Sequence, residues 1–161
     1  MTRDRDFKDL VRQRMSRTGE NYTRARTALL AQEPPAPPGF STAAHEQQVI
    51  VDRWFRNGRL TAIPARRKVR AAVLLEVLSG FEPHRDYAER EVSTHLAEIH
   101  EDFAYLRREL VSLGYLVRDT RHYRVCPVPP RRDRRTAAEL PAWERFWLPA
   151  FARGLRVEAA R

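Results

Sequence analysis

From about residue 64 to residue 126 the sequence reads helix, short strand, helix, helix and hairpin. This order predicts a mainly α fold with a small β-hairpin, built on a winged helix–turn–helix core. Two further observations complete the prediction: a helical hairpin precedes the core, and an aromatic helix follows it. Proline-rich stretches divide the chain into a hairpin at 1–32, a spacer at 33–41, the core at 42–126, and a basic linker with a terminal helix at 127–161.

In the first segment, Phe7, Leu10, Val11 and Met15 recur at helical spacing over residues 5–15. Gly19 supplies the positive φ that ends a helix. Tyr22, Ala25, Leu29 and Leu30 then line one side of a second helix that reaches residue 32. The pair superficially resembles half of a ribbon–helix–helix unit, but only four residues precede it, too few for that fold's DNA-reading strand. Residues 32–39 hold four prolines, which lack the N–H and restrict the residue before them, so a semi-rigid spacer is expected.

The core opens with a helix over 42–56, apolar at Val49, Ile50 and Phe55 with Trp54 beside them. Asn57-Gly58 stops it, and residues 59–63 read as extended. Pro64 suits a helix start, and 65–79 carries Val69, Ala72, Val73, Val77 and Leu78. After a turn at 82–86, Tyr87 is a short extended residue before a helix at 89–99 with Val92, Leu96 and Ile99 inward. The next helix, at 101–113, buries Phe103, Leu106, Leu110 and Leu113 and ends at Gly114. Residues 115–119 and 122–126 are β-prone runs joined at Thr120-Arg121.

This stretch resembles a bacterial domain family, DUF2087, from Trp54 to about Val125. The carriers are Phe55-Arg56-Asn57-Gly58-Arg59-Leu60 with Ile63-Pro64, then Tyr87, Glu89, Glu91-Val92 and Leu96. Asp102-Phe103, Leu106-Arg107-Arg108-Glu109-Leu110-Val111, Gly114, Arg118 and Tyr123 complete the pattern. The resemblance implies a winged-helix-like fold and an association with transcription regulators, and it implies no catalytic residue or cofactor. Ser93 stands where the family pattern suggests Asn, and the hairpin turn has no Gly.

Charge points the same way. The 161 residues carry 30 Lys+Arg against 21 Asp+Glu, a net charge of +9. Residues 1–32 and 127–161 each hold eight cations and four acids, whereas 33–126 holds fourteen and thirteen. The excess therefore sits at the two ends, and a polyanion such as nucleic acid is the expected partner. All cations except Lys8 and Lys68 are arginine, whose planar fork suits phosphate and guanine, although a GC-rich genome yields the same bias.

On the last core helix, Tyr105, Arg108 and Ser112 are expected outward, with Arg107 at the edge of the buried stripe. These four are the candidate DNA-facing residues, with Arg121 at the hairpin tip and Arg131, Arg132, Arg134 and Arg135 in the linker as phosphate contacts. Glu98, Glu101 and Asp102 cluster at the start of that helix and oppose the reading by repelling phosphates, or pair with Arg107 and Arg108. The rival expectation is a protein-interaction module, a homodimer or the partner of another regulator. Its anchors would be Trp143, Phe146, Trp147 and Phe151, which otherwise fold back to complete the core.

Little in the sequence suggests an enzyme. His95 and His100 lie five apart, about 140° round a helix, so they do not share a metal. A single cysteine, Cys126, excludes a multi-Cys zinc site, and no Gly-rich phosphate loop or nucleophile elbow occurs. No metal or cofactor is expected, nor any membrane partner, since no apolar run reaches the ~18–20 residues of a span. MTRDRDFKDL lacks the apolar stretch of a secretory signal, so a cytoplasmic location is expected.

Overall fold

The computed structural model describes residues 3–19, 21–31 and 37–155. The chain divides into two units, Met1–Pro37 and Pro38–Arg161. In the first, α1 (Arg3–Thr18) packs on α2 (Tyr22–Ala31), with Gly19 at φ 71° between them. Asn21 Oδ1 accepts the Arg24 N–H at 2.9 Å and satisfies one of the open donors at the start of α2. Both helices were legible from spacing. The expected spacer falls largely on residues 32–36, which lie outside the described residues, and it ends early, because a helix begins at Phe40.

The second unit opens with α3 (Phe40–Trp54), entered from Gly39 at φ 82°. The chain then leaves the helix two residues sooner than expected. Phe55–Arg56 (β1) pairs antiparallel with Arg59–Leu60 (β2). Asn57 and Gly58, at φ 51° and 76°, supply the positive φ values that a tight two-residue turn demands. The apolar face of α3 is also rotated from the expected one: Ala43, Ala44 and Gln47 are buried, and Val49 is 52% exposed. Small side chains let α3 approach its neighbours closely, and Gln47 Nε2 donates to the Ala72 carbonyl at 2.9 Å.

At the centre lies α4 (Arg67–Ser79), which packs against α3 and against two later helices. Seven of its residues, Ala71–Leu75 with Val77 and Leu78, are buried, so it is apolar on nearly every side as a central helix must be. The single stripe expected from the sequence missed Ala71, Leu74 and Leu75. Next come β3 (Tyr87–Ala88), α5 (Glu89–Ile99), α6 (Phe103–Ser112), β4 (Leu116–Arg118) and β5 (His122–Val125). The three strands form one antiparallel sheet in the order β3-β5-β4, with Tyr87 opposite Tyr123 and Leu116 opposite Val125.

Side chains fix each end of this set. Glu91 accepts from the Ala88 N–H at 2.7 Å, and Asp102 accepts from the Tyr105 N–H at 3.1 Å, opening α5 and α6 respectively. Gly114, at φ 72°, lets α6 turn directly into the sheet. The glycine-free hairpin turn is held by Asp119, whose carboxylate accepts from the N–H groups of Arg121 (3.0 Å) and His122 (2.9 Å). Those two donors hold the Asp119 carboxyl below its ordinary range.

Beyond Cys126 the chain does not leave the core. The linker carries a short helix, α7 (Arg134–Ala138), capped by Asp133 through the Thr136 N–H at 2.8 Å. After it, α8 (Trp143–Ala152) packs on α3 and α4. Trp143 and Trp147 are buried, and Phe40 meets Trp143 and Phe146 at 5.3 and 5.7 Å between ring centroids. A boundary at residue 126 is therefore absent, and the aromatic helix completes the hydrophobic core. Among the described residues no helix is long and apolar enough to cross a membrane.

Candidate nucleic-acid interface

The outward face of α6 carries Ala104, Arg108 and Ser112, all exposed, while Leu106 and Leu110 point into the core. Tyr105 is half-buried, less available than its expected outward position. Arg108 makes no ion pair or hydrogen bond among the described residues. The guanidinium is free to meet an external anion.

Arg107 is placed differently. Its side chain is 23% exposed, donates to Ser93 Oγ at 2.6 Å, and stands 3.1 Å from Glu89 Oε1. Glu89 reaches across to Arg118 at 3.4 Å as well, and the Arg118 guanidinium lies 5.5 Å from the centroid of the Tyr123 ring. One carboxylate at the start of α5 thus bridges an arginine of α6 and an arginine of the hairpin. Ser93, the position that departs from the family pattern, supplies the hydroxyl that fixes Arg107.

Between α6 and the sheet these side chains line a shallow cleft of about 280 Å³, bounded by Ala104, Arg107, Arg108, Val111, Arg118 and Tyr123. Three guanidinium groups face it and no carboxylate is among its lining residues. Arg121 lies exposed at the hairpin tip without an ion pair among the described residues.

The linker arginines separate into two kinds. Arg131 and Arg134 are exposed and unpaired among the described residues, and Arg135, 93% exposed, has Glu139 only at 3.9 Å. Arg132 is instead an internal residue and leaves the set of phosphate contacts. Its Nε lies 2.8 Å from Glu144, with the two side chains 17% and 9% exposed. Burial of α8 likewise removes Trp143 and Trp147, 5% and 7% exposed, as anchors for an outside partner. Phe146 and Phe151 are half-buried, and Phe151 stacks on Trp147 at 4.3 Å.

Residues 59–125 match the family described as an uncharacterized protein conserved in bacteria, DUF2087. The chain carries a DUF2087 domain. No curated protein and no solved structure matches the chain. The DUF2087 domain contains every element from β2 to β5 and the whole arginine cleft, whereas α3 and α8, which close its core, lie outside the matched residues. Several residues that carried the resemblance have structural duties in the domain. Glu109 pairs with Arg70 at 2.9 Å, Tyr87 Oη accepts the Glu82 N–H at 2.7 Å, and Glu91 and Asp102 cap helices. Arg108 and Arg118 alone among its arginines both line the cleft and keep most of their side chain at the surface, or nearly so.

The sequence placed Arg108 outward and Arg107 at the edge of the buried stripe, and offered both as DNA-facing. It missed Glu89, whose position at the start of α5 was fully explained by its favourable interaction with the helix dipole. The signal that would have found it is the spacing of 18 residues between Glu89 and Arg107, one helix and a turn, across two packed helices.

Proposed function

We propose that the DUF2087 domain is a winged helix–turn–helix that binds DNA in transcription control. The element order α4, β3, α5, α6, β4, β5 supports this reading, with β4–β5 as the wing and β3 closing the sheet beside β5. The observation that carries it is the cleft between α6 and the hairpin, lined by three guanidinium groups, of which Arg108 is unpaired among the described residues while Arg107 and Arg118 share Glu89. Phosphate or a guanine edge is the complementary ligand for such a cleft.

Glu101 and Asp102 at the start of α6 repel phosphates, so contact is made by the second half of the helix, through Arg108 and Ser112, together with Arg121 on the wing. Arg131, Arg134 and Arg135 add exposed positive charge outside the cleft. A fluorescence-anisotropy titration of labelled duplexes drawn from a random pool, repeated across salt concentrations, tests the proposal. Affinity should fall steeply with salt, with a slope of about −0.9 per phosphate contacted. Arg108→Ala should weaken binding about tenfold, the loss of one good arginine contact. Absence of binding at low salt, or affinity indifferent to salt, overturns it.

A further inference from the structure

The orientation of α3 leaves an apolar surface that the core covers only in part. Val49, 52% exposed, and Ile50 and Trp54, half-buried, form one wall of an open groove of about 540 Å³; Pro64 and Val69 form the other. Arg53 and Arg66 stand at its edge, both exposed, and neither side chain has an ion pair or hydrogen bond among the described residues. No carboxylate is among the groove's lining residues. The first turn of α4 begins at this edge with no acidic residue and no side-chain cap, so its positive end adds to the same field.

A cationic margin around an apolar trough selects its occupant by charge. A second copy of the chain seated across a two-fold axis would bring its own Arg53 and Arg66 against this pair, and like charges in contact disfavour that arrangement. The open shape, with Val49 in solvent, suits side chains inserted from a larger partner better than an enclosed small molecule. We propose that this groove docks an acidic amphipathic helix of a partner protein, with apolar side chains at i and i+3 or i+4 on Trp54 and Val49 and carboxylates on Arg53 and Arg66. This surface lies on α3 and the start of α4, apart from the arginine cleft, and its reading does not depend on DNA binding.

The test is selection of 16-residue peptides from a phage-displayed random library on the full chain, followed by anisotropy titration of the fluorescein-labelled winners. Selected peptides should be net negative with apolar residues at helical spacing. Val49→Asp and the pair Arg53→Glu with Arg66→Glu should each weaken them at least about tenfold, the scale of a groove anchor. Arg108→Ala should leave their affinity unchanged. These are surface positions, and far-UV circular dichroism checks that each variant is folded. Failure to select any peptide, selection of neutral or basic ones, or affinity unaffected by both groove variants overturns the proposal. So does light scattering that finds a dimer dissolved by Val49→Asp, which would make a second copy the occupant. DNA affinity in the same groove variants separates the two readings, since loss of DNA binding leaves peptide docking intact.

Discussion

Arg132 and Glu144 join the linker to the C-terminal helix, with Nε 2.8 Å from Oε1. The same guanidinium donates to the Leu113 carbonyl at 2.6 Å, and the other Glu144 oxygen accepts from the Tyr115 hydroxyl. Tyr115 is fully buried, and burial first, then the neighbouring Glu144 charge, keep its hydroxyl protonated far above the ordinary tyrosine range. The network therefore ties α8 to the C-terminal end of α6 and the start of β4, the elements that flank the arginine cleft. Its charges are balanced and its donors satisfied, which is the condition for an ion pair to be tolerated in a core.

Removing one partner strands the other. Glu144→Ala should destabilise the fold by about 3–5 kcal/mol, the cost of an uncompensated buried charge. Replacing both, as Arg132→Met with Glu144→Leu, should cost less than either single change. Urea unfolding midpoints measure the difference, and a double variant no more stable than the singles would contradict the account.

Glu89 pairs with both Arg107 and Arg118, and on the proposed DNA-binding reading it competes with phosphate for them. Glu89→Gln removes that competition, so DNA affinity should rise and the salt slope should steepen by up to about two units, one for each arginine released. Parallel titrations of Arg107→Ala and Arg118→Ala identify which guanidinium responds. Weaker DNA binding in Glu89→Gln would mean that the bridge positions the arginines instead of restraining them.

Gly114 joins α6 to β4 at φ 72°, and a Cβ there would stand 3.4 Å from Pro130 Cβ. Gly114→Ala should cost about 1–2 kcal/mol, from the left-handed backbone alone. Thermal unfolding should show the lower Tm. An unchanged Tm would mean that the turn relaxes without strain.

Glu76, half-buried on α4, has its carboxyl pushed above the ordinary 4.5 by burial. The folded state then holds the proton more tightly than the unfolded one, so this residue's contribution to stability falls as pH rises from 4.5 through the raised folded value. Glu76→Gln should raise Tm at neutral pH and lose that advantage below 4.5. A gain independent of pH would place the effect elsewhere.

Local spacing made the helices of the core and both strands of its hairpin legible, with ends off by a few residues. The errors have one cause. The sequence shows that α3 is amphipathic, yet Ala43, Ala44 and Gln47 were chosen as the inner face by close approach to other helices, leaving Val49 outside. Likewise α7 announces itself only through Asp133 and Thr136, a cap too short to register as periodicity.

What the sequence by itself determined is the order of elements, their turns and the excess of arginine, because propensity, capping and glycine placement act over a few residues. Which arginines remain available was decided only in three dimensions. Arg70 finds Glu109 from 39 positions away, Arg132 meets Glu144 from 12, and Arg107 meets Glu89 across two packed helices, whereas Arg108 meets no carboxylate among the described residues. Ion pairing depends on distance in space and on exclusion of water, and neither is encoded in the spacing of neighbouring residues.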